Sequence, residues 1–333
     1  MAGVRMRVGF DVAPLLLDNA GTARYVRGVL RELRQRDDVE VHELSWGGAS
    51  RATAAVRDAA WYPFVLPVQA RPLDVLHCTT FRAPLRAPLP VVVTVHDLAA
   101  IRFPQHFTTW TRLYARTFLP VVLRAATRVL AVSEFTKRDI VELAGVPEGR
   151  IDVAPNAADT TVFTPDGPRS DGDYVLAVGT LEPRKNLPRL IEATARLGLQ
   201  LRVAGARGWG GVVADAPHVN WVGRPTDEEL ATLMRGALCI AYPSLWEGFG
   251  IPVLEAMLCG TPVVTSRASA MEEVAGEAAE LVDPEDVGSI AAGIERALAR
   301  RDELRAAGLE RAKHFGWQAT ADAVVASYRR ALA

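Results

Sequence analysis

The chain has 333 residues, 49% of them apolar and 23% charged, which excludes a disordered tail protein of biased charge. Its 38 basic side chains balance 39 acidic ones for a formal net charge of −1, so the positive excess of a nucleic-acid binder is missing. The length exceeds what one hydrophobic core usually holds, and two domains of about 150 residues each are expected.

In chain order, Arg7 to Val12 reads as a first strand. Gly21 to Arg36 places Tyr25, Val29 and Leu33 on one helical face. Val39 to Leu44, Val75 to His77, Val91 to His96 and Val129 to Ser133 continue the strands, with helical patterns at Thr108 to Ala126 and Glu134 to Ala144. Pro120 predicts an interruption of the longer helix. The polar stretch Thr164 to Asp173 is rich in Pro and Gly and reads as a linker. The alternation then restarts, with strands near 174–179, 201–205, 218–223, 239–242, 262–266 and 279–282 and helices near 187–197, 226–235, 252–259 and 284–300. Strands alternating with helices imply parallel sheets, so the expected fold is α/β with two doubly wound domains facing across a cleft. The boundaries are 1–165 for the first domain, 174–315 for the second, and 316–333 for a last helix with Ala321, Val324, Val325 and Tyr328 on one side. Composition alone leaves open which domain that helix covers.

Cys78, Cys239 and Cys259 have apolar neighbours and form no C-x-x-C pair, which predicts buried free thiols in a reducing compartment and no zinc. No apolar run of about 18 residues occurs and the N-terminus carries no signal-peptide pattern, so the expected location is the cytoplasm.

Four constellations can carry chemistry. In the stretch Glu247 to Glu255, Pro252 suits the first helical position, which places Glu255 in the first turn and Glu247 in the loop before it. Gly248 and Gly250 allow close backbone approach, and the helix end favours an anion, so this stretch fits a ligand with phosphates and hydroxyls. Its plain alternative is a helix-dipole Glu beside a solvated one. Gly179 to Asn186 puts Arg184 and Lys185 together at a strand end, a diphosphate clamp or else a solvated pair. His96 and Asp97 close another strand, where a lone His is either structural or aimed at a ligand. Asp18 to Tyr25, with Gly21 and Thr22, lacks G-x-G-x-x-G, and neither a P-loop nor G-x-S-x-G occurs anywhere, which disfavours dinucleotide oxidoreductases, P-loop enzymes and α/β-hydrolases.

Taken in order, the segments 21–25, 94–97, 132–136, 155–157, 179–187 and 242–256 resemble the retaining glycosyltransferases of family 4, the last carrying the E-x7-E signature between Glu247 and Glu255. The resemblance, closest to the mannosyltransferase-like branch, implies the GT-B fold of two Rossmann-like domains, an acceptor-binding first domain and a donor-binding second. It implies that Arg184 and Lys185 hold the donor diphosphate and Glu255 the ribose hydroxyls. Glu247, with the amides of Phe249 and Gly250, would hold the transferred sugar, and His96 would point at it. Gly21 and Thr22 would lie by the phosphate and acceptor, Arg224 by the nucleobase, and the last helix would cross back to the first domain. Retention by front-face attack, without a metal, follows from the same resemblance. The implied co-substrate is GDP-mannose, with no further cofactor, and the acceptor a glycan or lipid-linked saccharide in polysaccharide synthesis. Non-catalytic sugar-nucleotide-binding relatives, and GT-B epimerases or phosphorylases, are the alternatives. Arg112, Arg116, Arg124 and Arg128 interleave with Trp110, Leu113, Tyr114 and Phe118, so 108–129 can form a peripheral contact with the inner face of the plasma membrane or a solvated outer face.

Overall fold

A computed structural model of the chain describes residues 5–16, 20–48, 50–107, 109–208 and 216–333. Asp18, Asn19 and Thr108 of the sequence reading lie outside them, as does the side chain of Trp110. Two compact units result, Met1–Ala157 with Phe315–Ala333, and Ala158–His314.

The first unit holds a six-stranded parallel sheet in the order β2-β1-β3-β4-β5-β6. Its strands are β1 (Met6–Asp11), β2 (Val39–Leu44), β3 (Val75–Cys78), β4 (Val91–Val95), β5 (Arg128–Ala131) and β6 (Ile151–Val153). β4 reads Val-Val-Val-Thr-Val and is buried at every position, as expected of a parallel strand covered on both faces. On one face, helix Ala20–Leu33 and helix Trp317–Leu332 share a core of Tyr25, Val29, Leu33, Trp317, Val324 and Tyr328. The last helix thus belongs to the first unit, and Thr320 fixes its start by donating to Pro155 O at 2.6 Å. Trp317 packs against Gly28, where an added Cβ would stand 2.2 Å from the indole. Gly28→Ala is therefore expected to destabilise this unit by about 1–3 kcal/mol despite the better helix propensity of Ala. Denaturant midpoints check this; an unchanged midpoint would show that the indole moves aside freely.

On the other face, Trp61, Tyr62 and Leu66 meet Ala115, Leu119 and Leu123 of helix Thr109–Ala125. That helix runs through Pro120 uninterrupted, correcting the expectation of a break. Proline there removes one N–H, while Thr117 Oγ1, one turn earlier, donates to Leu113 O at 2.7 Å and the helix buries Leu119, Val122 and Leu123 on either side.

The second unit repeats the design as β12-β11-β10-β7-β8-β9. The strands are β7 (Tyr174–Val178), β8 (Gln200–Ala204), β9 (Val219–Gly223), β10 (Cys239–Tyr242), β11 (Val263–Ser266) and β12 (Glu280–Val282). The stretch read as a linker is stapled to this unit. Arg235 donates to Pro168 O and Thr164 O at 2.7 and 3.2 Å, and Ser170 N to Thr232 O at 3.1 Å. The boundary falls instead at Ala157/Ala158. Gly172 makes the stapling possible, because a Cβ there would stand 2.0 Å from Gly236 O. Cys78, Cys239 and Cys259 are buried free thiols.

Candidate functional site

In the second sheet the chain leaves β7 toward β8 and β9 on one side, then returns to place β10 on the other. The β7/β10 junction is a topological switch point, and open α/β sheets bind ligands outside the carboxyl ends of such strands. Two loops leave from there. One follows β7 through Gly179 to Asn186, and the other follows β10 from Pro243 to Gly250.

Backbone geometry binds the loops together. Gly179 has φ +134°, and a Cβ on it would stand 3.0 Å from Lys185 Cε, so glycine makes room for the lysine stem. Asn186 turns left-handed at φ 59° and donates to Pro243 O at 3.0 Å, while Leu245 N donates to Arg184 O at 2.7 Å. Gly250, at φ +99°, caps helix Ile251–Leu258 where a Cβ would meet Met271 Cγ at 2.7 Å.

The result is a compact charge cluster. Arg184 Nη1 donates to Glu247 Oε2 at 2.7 Å and to Trp246 O at 3.2 Å, and its Nε lies 2.7 Å from Glu182 Oε1. Lys185 Nζ donates to Glu247 Oε1 and to the Tyr242 hydroxyl, both at 2.6 Å. Burial pushes the Glu247 carboxyl up, but the charges of Arg184 and Lys185 outweigh it and bring the group down to about 2. Burial holds the Lys185 ammonium below the usual lysine value, against the pull of Glu247 and with the push of Arg184. Glu182, 3% exposed, moves up chiefly through burial. Two basic groups thus stand at the strand ends with Glu247 fixed between them, an arrangement suited to a diphosphate beside a polyol.

Glu255 is buried, but the helix begins at Ile251, so it is the fifth helical residue and not in the first turn as the sequence suggested. The left-handed Gly250 cap lets the helix start one residue before Pro252. Phe249 is buried beside that cap. Arg224 is exposed just past β9, next to Gly223 at φ 76°.

The remaining candidates belong to the first unit. His96 follows β4, and its Nε2 lies 2.9 Å from Thr79 O. A carbonyl only accepts, so Nε2 carries the proton and Nδ1 of the neutral ring is an acceptor. Burial pulls its pKa below the ordinary histidine value, so the ring is neutral near pH 7. Tyr25 stands edge-on to that ring at 4.9 Å. Behind it runs a buried chain: the Tyr25 hydroxyl to Thr94 Oγ1 at 3.2 Å, Thr94 to His77 Nε2 at 2.8 Å, and His77 Nδ1 to the Tyr328 hydroxyl at 2.6 Å. At the switch point of this sheet, Asp11 accepts from Ala13 N and the Tyr62 hydroxyl, both at 2.9 Å. Burial lifts its carboxyl to about 6. Gly21 and Thr22 lie in the first turn of helix Ala20–Leu33, where N–H groups have no partner within the helix.

Sequence reasoning missed Glu182, Tyr242, His77, Tyr62 and Asp11 as members of these networks. The bonds Tyr62–Asp11, His77–Tyr328 and Lys185–Tyr242 join residues 51, 251 and 57 positions apart and leave no local mark, whereas Glu182 and Tyr242 lie within or beside the two loops already singled out.

Two units of this kind, each a doubly wound parallel sheet, have the architecture of the GT-B class. A family model described as Glycosyltransferase Family 4 matches residues 20–162, and one described as Glycosyl transferases group 1 matches residues 160–315. O-antigen chain mannosyltransferase B of Escherichia coli is 32% identical over 266 residues, covering 72% of this chain and 70% of that protein. MMP alpha-(1->4)-mannosyltransferase of Mycolicibacterium hassiacum is 32% identical over 73% of this chain and 66% of its own length. D-inositol 3-phosphate glycosyltransferase of Mycolicibacterium smegmatis is 31% identical over 73% and 62%. Among solved structures, sucrose-phosphate synthase from Thermosynechococcus elongatus superposes with a TM-score of 0.77 over 98% of both chains at 19% identity. Anabaena HepE in complex with UDP and glucose gives 0.72 over 97% of this chain and 99% of that one, at 18% identity. The chain belongs to glycosyltransferase family 4.

Proposed function

We propose that this glycosyltransferase moves a hexosyl unit, mannosyl from GDP-mannose, onto a glycan or lipid-linked saccharide with retention of anomeric configuration. The observation that carries the reading is Glu247 held between Arg184 and Lys185, at 2.7 and 2.6 Å, at the carboxyl ends of β7 and β10. Arg184 and Lys185 hold the donor diphosphate and stabilise the charge that grows on it as the glycosidic bond breaks. The leaving phosphate oxygen takes the acceptor proton on the same face of the sugar, and the two cations make a metal unnecessary. Glu247, with the amides of Phe249 and Gly250, holds the sugar hydroxyls, and Glu255 holds those of the ribose. His96 Nδ1 accepts from a hydroxyl near the reacting carbon, Gly21 and Thr22 adjoin phosphate and acceptor, and Arg224 adjoins the nucleobase. The names of two relatives, both mannosyltransferases, support the choice of sugar.

The test is a panel of nucleotide sugars incubated with and without saccharide acceptors. Nucleoside diphosphate release that rises with acceptor, greatest for GDP-mannose, supports the reading. Binding without turnover would favour a non-catalytic relative, and sugar isomerisation or phosphorolysis without transfer would favour an epimerase or phosphorylase.

The same reading includes contact with an anionic bilayer. Residues 98–133 contain five Arg and neither Asp nor Glu, and helix Thr109–Ala125 exposes Leu113, Phe118 and Val121 together with Arg116 and Arg124. On the same face of the first sheet, the stretch 57–69 exposes Phe64 to 70% along with Val65 and Val68. Among the described residues no helix is long and apolar enough to cross a membrane. Sedimentation with phosphatidylglycerol vesicles is expected to carry the protein down at low salt and release it at high salt. Equal recovery with neutral vesicles, or none with either, would assign this face to solvent.

A further inference from the structure

Tyr242 closes β10 with its side chain buried, at 4% exposure, and its backbone carbonyl accepts from Thr265 Oγ1 at 3.0 Å. Its hydroxyl lies 2.6 Å from Lys185 Nζ and 3.1 Å from Glu247 Oε1, and those two atoms are themselves 2.6 Å apart. An ammonium has only protons to give, so Lys185 donates both of its bonds, and the one phenolic proton is left for Glu247. The three bonds form a closed triangle with every direction fixed. Phenylalanine would keep the packing, but not the triangle.

We propose that Tyr242 is a positioning residue of the donor site, its hydroxyl fixing the Lys185 ammonium against the Glu247 carboxylate in the geometry that receives the diphosphate. The inference rests on the reading of Arg184, Lys185 and Glu247 as the donor site. The charged groups facing the triangle are Glu182 and Arg184, from the turn that carries Lys185, and Glu247 itself, from the loop after β10. Tyr242 does not titrate in the working range, because burial and the charge of Glu247 push its phenol well above the usual tyrosine value. What it supplies is an acceptor to Lys185 and a donor to Glu247.

Tyr242→Phe is expected to lower kcat/KM for the donor about tenfold at neutral pH, as loss of a hydrogen bond to a charged group does. The decisive readout is the alkaline limb of the pH profile. Lys185 without its acceptor releases its proton more easily, so the limb moves to lower pH. A merely structural tyrosine would scale the profile without moving it. The lysine content offers a second readout that needs no turnover. With only three lysines in the chain, Lys137, Lys185 and Lys313, the ε-methylene resonances of carbon-13-labelled lysine can be followed individually, with Lys185→Ala assigning one. The Lys185 midpoint is expected to fall in Tyr242→Phe while the other two stay. An unmoved limb and an unmoved Lys185 midpoint would overturn the proposal. If Lys185→Ala keeps full turnover, the donor-site reading fails instead, whatever the resonance does.

Discussion

Lys185→Ala is expected to lower kcat/KM for the nucleotide sugar by about a hundredfold to a thousandfold. The magnitude is that of removing one preorganised donor aimed at charge that develops in the transition state. It falls mostly on kcat if the lysine acts on the leaving diphosphate, since the charge there grows as the bond breaks. The fold should survive the change, because Arg184 still holds Glu247 Oε2 at 2.7 Å and Tyr242 still reaches Oε1 at 3.1 Å. Steady-state kinetics beside a thermal melt separate the two effects. A near-normal rate in a folded variant would remove Lys185 from the chemistry. In the wild type, activity should also fall on the alkaline side before the ordinary lysine range is reached, since the ammonium must stay charged and burial lowers its pKa.

Glu247→Gln is expected to cost about as much in kcat/KM, on the order of a hundredfold or more. The amide keeps the shape but removes the charge that fixes both cations, and its NH2 faces a donor where a carboxylate oxygen had accepted one. It also leaves a stability signature. The folded carboxyl titrates at about 2, below the unfolded value, so its contribution is present above the unfolded pKa and is lost as pH falls from there toward 2. Melting temperatures of the Gln variant should lack that portion of the acid dependence. Identical acid profiles, or an unimpaired rate, would contradict the placement of Glu247 between the cations.

Much of this was legible in the sequence, because parallel strands buried on both faces appear as short runs rich in Val and Thr, as at 91–95 and 263–266. The loops after β7 and β10 were legible too, since their glycines and adjacent charges are local features. What escaped were elements without a clear period. The helical stretch 51–69 contains Pro63 and Pro67, which look like breakers, yet it turns through them and buries Trp61, Tyr62 and Leu66. β6 is only three residues long. The polar run 164–173 looked like a linker because stapling to Arg235, 67 and 71 residues onward, leaves no local mark. Side-chain networks were least visible of all: the Lys185–Tyr242 pair is separated by 57 positions and His77–Tyr328 by 251.

The charge balance also takes its meaning from the fold. With the last helix assigned to the first unit, that unit has 22 basic and 16 acidic residues, a net +6, and the second has 16 and 23, a net −7. The phosphate-bearing ligand is thus assigned to the unit of unfavourable bulk charge, and local placement has to capture it.

Calorimetric titration of the wild-type protein and Lys185→Ala with GDP-mannose tests that claim most directly. The account predicts saturable binding at one site in the wild type, displaced by GDP and weakened at least tenfold in Lys185→Ala. Equal binding by the two proteins, or no saturable binding of any nucleotide sugar by the wild type, would contradict it.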